Sequence, residues 1–327
     1  MRKGKELILA TKDFVGDNPT KSWFLLLSTM LILALTWAGT LWNVNLVGKV
    51  LCSLISGLVL VRLFVIYHDH QHRAILKGSR LADTLMKFFG LLALTPSSVW
   101  QHDHESHHHH NSKLHRDTIG SFPVMTLERY ARSSAGERFF YLFKRHPLII
   151  ALGYVFVFIG GMCILPLLRE PREHWDAAAS LLIHVTLITL LLVFAGWSAL
   201  VLSLLVPYLV AGGLGAYLFY AQHNFPDVHL KDHDGWTYEG AALESSSFLK
   251  MGPVMNWFTG NIGYHHVHHL NARIPFYRLP EAMKKMPELQ SPKVVTLSLV
   301  DMVRCFRLKL WDVRIQKLVP LARPDRV

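Results

Sequence analysis

The stretch that decides the fold is Val47 to His72, VGKVLCSLISGLVLVRLFVIYHDHQH. It is an apolar run interrupted only by Lys49 and Arg62, and it ends in His68-Asp69-His70-Gln71-His72. A helix needs about 20 apolar residues to cross a bilayer, so the run is long enough to span and its histidines fall where it emerges. On that helix His68 and His72 lie one turn apart on one face, while His70 points about 200° away. Arg62 is read as snorkelling to the cytoplasmic interface.

Four more apolar segments surround this one, at 23–43, 147–168, 178–195 and 199–221. No Asp, Glu, Lys or Arg occurs from Ser22 to Gly48, from Pro147 to Leu168 or from Ala177 to Pro226. The first segment is not a cleaved signal, because a polar N-terminal stretch precedes it and no small-residue cleavage site follows. The composition agrees: 327 residues, 51% hydrophobic and 17% charged, where soluble domains carry about 25% charged residues. Cys52, Cys163 and Cys305 are too few and too scattered for a disulfide scaffold, a zinc finger or a cysteine-held iron–sulfur cluster.

The formal charge of +11 raises the question of nucleic acid, but its placement answers otherwise. Lys and Arg gather before Ser22, between His68 and Pro147, and after Pro226, whereas the connection between the first two segments carries only Lys49. Retention of positive loops puts these three regions in the cytoplasm, a topology signal rather than a nucleic-acid surface. Two cytoplasmic flanks cannot enclose three crossings between Pro147 and Pro226. The segment 147–168, with Gly160-Gly161 and Pro166, is therefore expected to dip in and return. The competing assignment makes 178–195 re-entrant from outside. In the first arrangement Gly196-Trp197-Ser198 is a tight outer turn, and Leu81–Leu94 is an interfacial helix or shallow hairpin. The fold class is thus all-α, a polytopic membrane bundle with about four full spans plus re-entrant and interfacial helices, under a cytoplasmic cap. No repeat or long linker divides it: 1–21 is a cytoplasmic N-terminus, 22–226 the membrane region and 227–327 the cap. The tail 293–319 mixes apolar and basic residues in the manner of a basic amphipathic helix.

Twenty histidines are the anomaly. Beyond His68 and His72, a second cluster runs Trp100-Gln101-His102-Asp103-His104-Glu105-Ser106-His107-His108-His109-His110, in which His104, His107 and His108 are related as i, i+3 and i+4. The third, His265-His266-Val267-His268-His269, repeats that relation at His265, His268 and His269, and His223 directly follows the last apolar segment. All converge where helices leave the bilayer. Neutral imidazole suits Fe, Zn, Cu or Ni, and eight or nine rings exceed what one ion can use, so two metals are the economical reading. Asp69 and Asp103 are then acceptors that fix ring tautomers. One histidine pair alone is more often packing, and the run 107–110 alone could be a metal-scavenging tract. Three one-face constellations on one side of a membrane are hard to obtain by accident. His70, His102, His109, His110, His115 and His266 are weaker candidates, and His184 reads as a packed or hydrogen-bonded histidine within the membrane.

These residues resemble the membrane-bound fatty acid desaturases, in particular the acyl-lipid Δ12/ω-3-like branch and its bacterial members, over roughly residues 45–285. His68-Asp69-x-x-His72 is similar to that family's first histidine box. Trp100-x-x-x-His104-x-x-His107-His108 is similar to its second box, and Gln222-His223 with Asn261-Ile262 and His265-x-x-His268-His269 to its third. The resemblance implies a non-haem di-iron centre held by His68, His72, His104, His107, His108, His223, His265, His268 and His269. It also implies use of O2 and two external electrons to remove two hydrogens from an acyl chain. The extra histidines leave a second register open, with His108 and His109 as the ligands. An unactivated methylene yields only to a redox metal with O2, which favours iron over zinc. No haem, flavin, dinucleotide or cysteine motif supplies electrons, so an external ferredoxin or cytochrome b5-like carrier is expected, docked on the basic face. A related hydroxylase or monooxygenase would use similar histidines. A membrane metal transporter should carry several ionisable residues at mid-depth, where only His184 occurs.

Overall fold

A computed structural model describes residues 1–42, 45–114, 122–231 and 235–321. Helix α1 spans Pro19–Leu41, with Pro19 in its first turn and the Asn18 side chain accepting from Lys21 N. Helix α2 spans Leu46–Gln71, started by Asn45 accepting from Gly48 N. Both starts follow the cap chemistry that short polar side chains provide. The two helices run antiparallel: Ser56 Oγ donates to Thr36 Oγ1 at 2.9 Å, and Arg62 Nε to Thr29 Oγ1 at 3.1 Å. Helix α3, Arg80–Leu92, is capped by Ser79 and buries Ala82, Met86 and Phe89, while Leu81 and Phe88 are exposed, the two-faced character expected of Leu81–Leu94. Helix α4, Ser97–His110, carries the second histidine cluster.

Among the described residues, three stretches are long and apolar enough to cross a membrane: Pro19–Leu41, Leu46–Gln71 and Trp175–His223. The last does not run straight. Gly196 sits at φ 79° and ψ 177°, a conformation that glycine alone adopts freely. The rings of His184 and Tyr208 lie 5.0 Å apart, where a continuous helix would separate them by about 36 Å. The chain therefore folds back at Gly196, the expected turn, which breaks helix α5 (Trp175–Leu200) near its end, and it returns through helix α6 (Val206–His223). His184 Nε2 bonds the Tyr154 hydroxyl, so it is a hydrogen-bonded histidine as read from sequence.

Between α4 and α5, residues 147–169 form a helix at Pro147–Ala151, a wider π-helical stretch at Tyr154–Ile164 and a turn of helix at Leu165–Arg169. Just before it, Arg145 Nη1 donates to Asn224 Oδ1, at the histidine end of α6. In mid-course Tyr154 packs against Gly212, whose hypothetical Cβ would lie 2.5 Å from Tyr154 N. Cys163 Sγ then contacts the Leu94 carbonyl at 3.5 Å, and Ser98 N donates to Asp176 Oδ2 at 3.0 Å, back beside α4. The excursion leaves and returns at one end of the bundle.

That end is covered by short elements. Strand β1 (Met125–Thr126) pairs in parallel with β4 (Leu308–Asp312), which pairs antiparallel with β5 (Lys317–Pro320). Strand β2 (Phe248–Lys250) pairs in parallel with β3 (Val294–Thr296). Helix α7 spans His265–Leu270 and helix α8 spans Leu299–Arg307. The tail is thus not one amphipathic helix over 293–319. Only Leu299–Arg307 is helical, and the alternation Leu308-Lys309-Leu310 then feeds a hairpin. Trp311 is fully buried, and Asp312 Oδ1 accepts Arg314 N to hold the turn. The helical spacing of the tail's apolar residues was real only locally; long-range pairing with Met125–Thr126 decides the rest.

Candidate metal centre

Four helix ends meet on the covered side. Helix α2 brings His68 and His72, helix α4 brings His104, His107 and His108, helix α6 brings His223, and helix α7 brings His265, His268 and His269. The i, i+3, i+4 spacing sends these rings to one side of each helix, and the helices pack so that the rings face one another. Two groups result. His68, His72, His104, His108 and His268 form one, and His107, His223, His265 and His269 the other, each with ligand atoms within 4.8 Å of one another. All nine rings singled out from the sequence are in one group or the other. The groups adjoin, with the His108 and His269 rings stacked at 4.3 Å.

The ring nitrogens meet head to head. His104 Nε2 lies 2.9 Å from His68 Nε2 and 3.1 Å from His108 Nε2, which is 3.1 Å from His268 Nε2. In the second group His265 Nε2 is 2.9 Å from His223 Nε2 and 3.0 Å from His269 Nε2, and His269 Nε2 is 3.2 Å from His107 Nε2. A neutral imidazole has one N–H, so one proton cannot satisfy two such approaches, and facing lone pairs repel. His72 Nε2 is buried in the first group with no hydrogen-bond partner among the described residues. A cation resolves both problems. Two nitrogens each about 2.0–2.1 Å from one metal and at right angles stand about 3 Å apart, which matches the separations found. The residues present fit two metal ions.

Burial keeps the rings ready. It holds His72, His104, His107, His108, His265, His268 and His269 well below the usual imidazole range, and in each case neighbouring histidines push further the same way. The rings are neutral at pH 7 and their lone pairs are free.

Outer contacts orient some of the rings. Asp69 is fully buried; its Oδ1 lies 3.1 Å from His68 Nδ1 and its Oδ2 accepts Phe276 N at 2.6 Å. His223 Nδ1 is 3.1 Å from the Ser245 carbonyl, which fixes that ring through backbone alone. Asp103 is placed differently: its Oδ2 is buried without a partner, and no ring nitrogen bonds it among the described residues. Sequence reading missed Trp100 as a neighbour, although it quoted the residue. One turn before His104, its ring stacks on that imidazole at 4.7 Å and 15°. Ser245 and Phe276 carried no local signal, since backbone groups far along the chain make those contacts.

The other described histidines lie outside both groups. His70 turns away and bonds Asp83 Oδ1 at 2.9 Å, tying the end of α2 to α3. His266 Nε2 is 3.2 Å from the Leu289 carbonyl, and His110 Nδ1 is 2.9 Å from the Ser106 carbonyl. His102 and His109 are exposed on the far face of α4, and His115 lies outside the described residues. Arg62 does not snorkel. It is 4% exposed, held by Thr29 and by the Trp257 carbonyl. Those acceptors, and the Trp257 ring beneath its guanidinium, offer an alternative to solvent that the sequence of α2 does not reveal.

The family model described as fatty acid desaturase matches residues 45–298. The chain belongs to the fatty acid desaturase family. A fatty acid desaturase of Bacillus subtilis is 31% identical over 313 residues, covering 95% of this chain and 88% of the relative. An sn-1 acyl-lipid omega-3 desaturase (ferredoxin) of a Nostoc species is 26% identical, covering 81% of this chain and 74% of the relative. An sn-1 oleoyl-lipid 12-desaturase of Anabaena variabilis is 22% identical, with 85% and 79% covered. This desaturase is accordingly an oxidoreductase, and its apolar helices and histidine groups are those of a membrane protein with a metal centre.

Proposed function

We propose that the protein is an O2-dependent acyl-lipid desaturase that introduces a cis double bond at a non-haem di-iron centre, with electrons from an external carrier. The observation that carries the reading is the pair of adjoining histidine groups at one end of an apolar bundle. Iron, when bound, supplies with O2 an oxidant strong enough for an unactivated C–H bond. The nine histidines would hold it, and Asp69 orients His68, whereas Asp103, expected from the sequence to orient a ring, bonds no ring nitrogen among the described residues. Phe64, Trp100, Phe158 and Phe219 form an aromatic cluster in which Trp100 and Phe219 pack against His104. An acyl chain enters naturally from the bilayer, since each buried methylene contributes about 0.8 kcal/mol.

The chain acts as one unit, with 1–21 and 227–327 on the cytoplasmic side of 22–226, as an integral protein of a bacterial inner membrane. Its basic cytoplasmic face docks an acidic ferredoxin or cytochrome b5-like donor. A reduction rate independent of ionic strength would remove that docking claim. The main test is expression in a host without polyunsaturated lipids, followed by fatty-acid profiling by mass. A product lighter by two hydrogens is expected, and His104→Ala or His268→Ala should abolish it. A product heavier by one oxygen would make the enzyme a hydroxylase, and metal flux without oxidation a transporter.

A further inference from the structure

Arg62, Val65 and Asp69 recur as i, i+3 and i+7 along α2 and so share one of its faces, next to the face that presents His68 and His72. All three hold the segments on either side of α7. Before α7, the Trp257 carbonyl accepts from Arg62 Nη1, and the guanidinium carbon lies 4.3 Å from the centre of the Trp257 ring. Gly260, at φ +52°, packs so closely on α2 that a Cβ would stand 2.8 Å from Val65 Cγ1. After α7, Phe276 N donates to Asp69 Oδ2, and the Phe276 ring lies 5.7 Å from the Arg62 guanidinium.

Stability does not explain Arg62. It is 4% exposed, and no carboxylate pairs with it among the described residues. A buried charge without a counter-ion is costly, and an apolar side chain of similar volume is often tolerated better. What arginine offers here is direction. Its planar fork donates to Thr29 on α1 and to the Trp257 carbonyl while stacking on an indole, which a lysine or a methionine cannot reproduce.

We propose that Arg62 is a positioning residue that sets the spacing between the first and third histidine clusters and so closes the five-histidine group. This rests on the reading that the groups hold two metals. The five-histidine group depends on that spacing because α2 supplies two of its five rings, His68 and His72, facing His268 from α7, so displacing α2 across the seam leaves it three. The His68 and His268 rings stand 4.6 Å apart across this seam. The other group takes His265 and His269 from α7 but no ring from α2, so a slide of the seam leaves it intact.

The experiment compares the full-length wild type with Arg62→Met, Arg62→Lys and Gly260→Ala. It measures iron per chain, the Mössbauer spectrum of the loaded protein and the melting temperature of the metal-free form. Wild type is expected to hold two irons. Arg62→Met should melt at or above the wild-type temperature when metal-free, yet retain about one iron, with the signal of one site lost. Gly260→Ala, which leaves the arginine in place, should lose the same signal, and Arg62→Lys should fall between. Two irons and an unchanged spectrum in Arg62→Met would overturn the proposal. So would a lower melting temperature with equal loss of both signals, which is the mark of a merely structural residue. Should Arg62→Met fail to fold, Gly260→Ala decides alone: an unchanged spectrum there overturns the proposal. A wild type that never holds two metals would instead sink the two-metal reading on which the proposal stands.

Discussion

The two histidine groups are drawn from matching helices and differ by one ring. Helix α4 gives its i, i+4 pair, His104 and His108, to the first group and the intervening His107 to the second. Helix α7 does the reverse, giving His265 and His269 to the second and His268 to the first. The difference comes from the remaining two helices. Helix α2 ends in two rings a turn apart, whereas α6 ends in His223 alone. Their outer partners differ as well: a buried carboxylate, Asp69, backs the first group, and a backbone carbonyl, that of Ser245, backs the second. A five-ring group can lose one donor and still offer four, while a four-ring group falls to three.

The largest effect should follow from testing that arithmetic. Replacing His223 by Ala should reduce bound metal from two to about one per chain and remove all product, since a lost ligand costs at least the 10–100-fold in affinity of a lost outer partner. Replacing His72 by Ala should keep two metals, with weaker binding at the first group only, although product is lost as in His104→Ala and His268→Ala. Metal analysis of the purified variants checks this pair. Equal loss in both would show that the spare ring is not spare.

The carboxylate is the next difference to remove. Asp69→Asn keeps an acceptor for Phe276 N but replaces the carboxylate oxygen beside His68 Nδ1 with an amide, and should weaken metal at the first group by about 10–100-fold. Metal titration with the second group as internal reference measures it; equal weakening of both groups would assign Asp69 to folding instead. Asp103→Asn should change metal content less than about twofold, because Asp103 bonds no ring nitrogen among the described residues.

The sequence disclosed the rings because helical spacing is a local property. Two constellations at i, i+3 and i+4, a pair at i and i+4, and a histidine at a helix end were enough to name all nine, and Gly196 was readable as a turn between uncharged runs. Their division into two groups was not legible, since it depends on the angle at which α4 and α7 meet. The tail failed for the same reason. Leu308–Asp312 becomes a strand only because Met125–Thr126, far away in the chain, lies beside it. Arg62 looked like a snorkelling residue because nothing within α2 shows that Trp257 will arrive over it.

The smallest expected effect separates the two registers of the second cluster. A helix advances about 100° per residue, so His107/His108 and His108/His109 cannot both face the centre with His104. In this structure His109 is exposed and stands 3.9 Å from Glu105, one turn back on the outer face. An exposed pair of that kind contributes little. His109→Ala should therefore keep two metals and full product, while His107→Ala leaves the four-ring group with three donors and loses its metal. Product profiles and metal content of the two single variants decide the point. Loss in His109→Ala with retention in His107→Ala would mean that α4 is turned by one residue, and with it the assignment of His107 to the smaller group would fall.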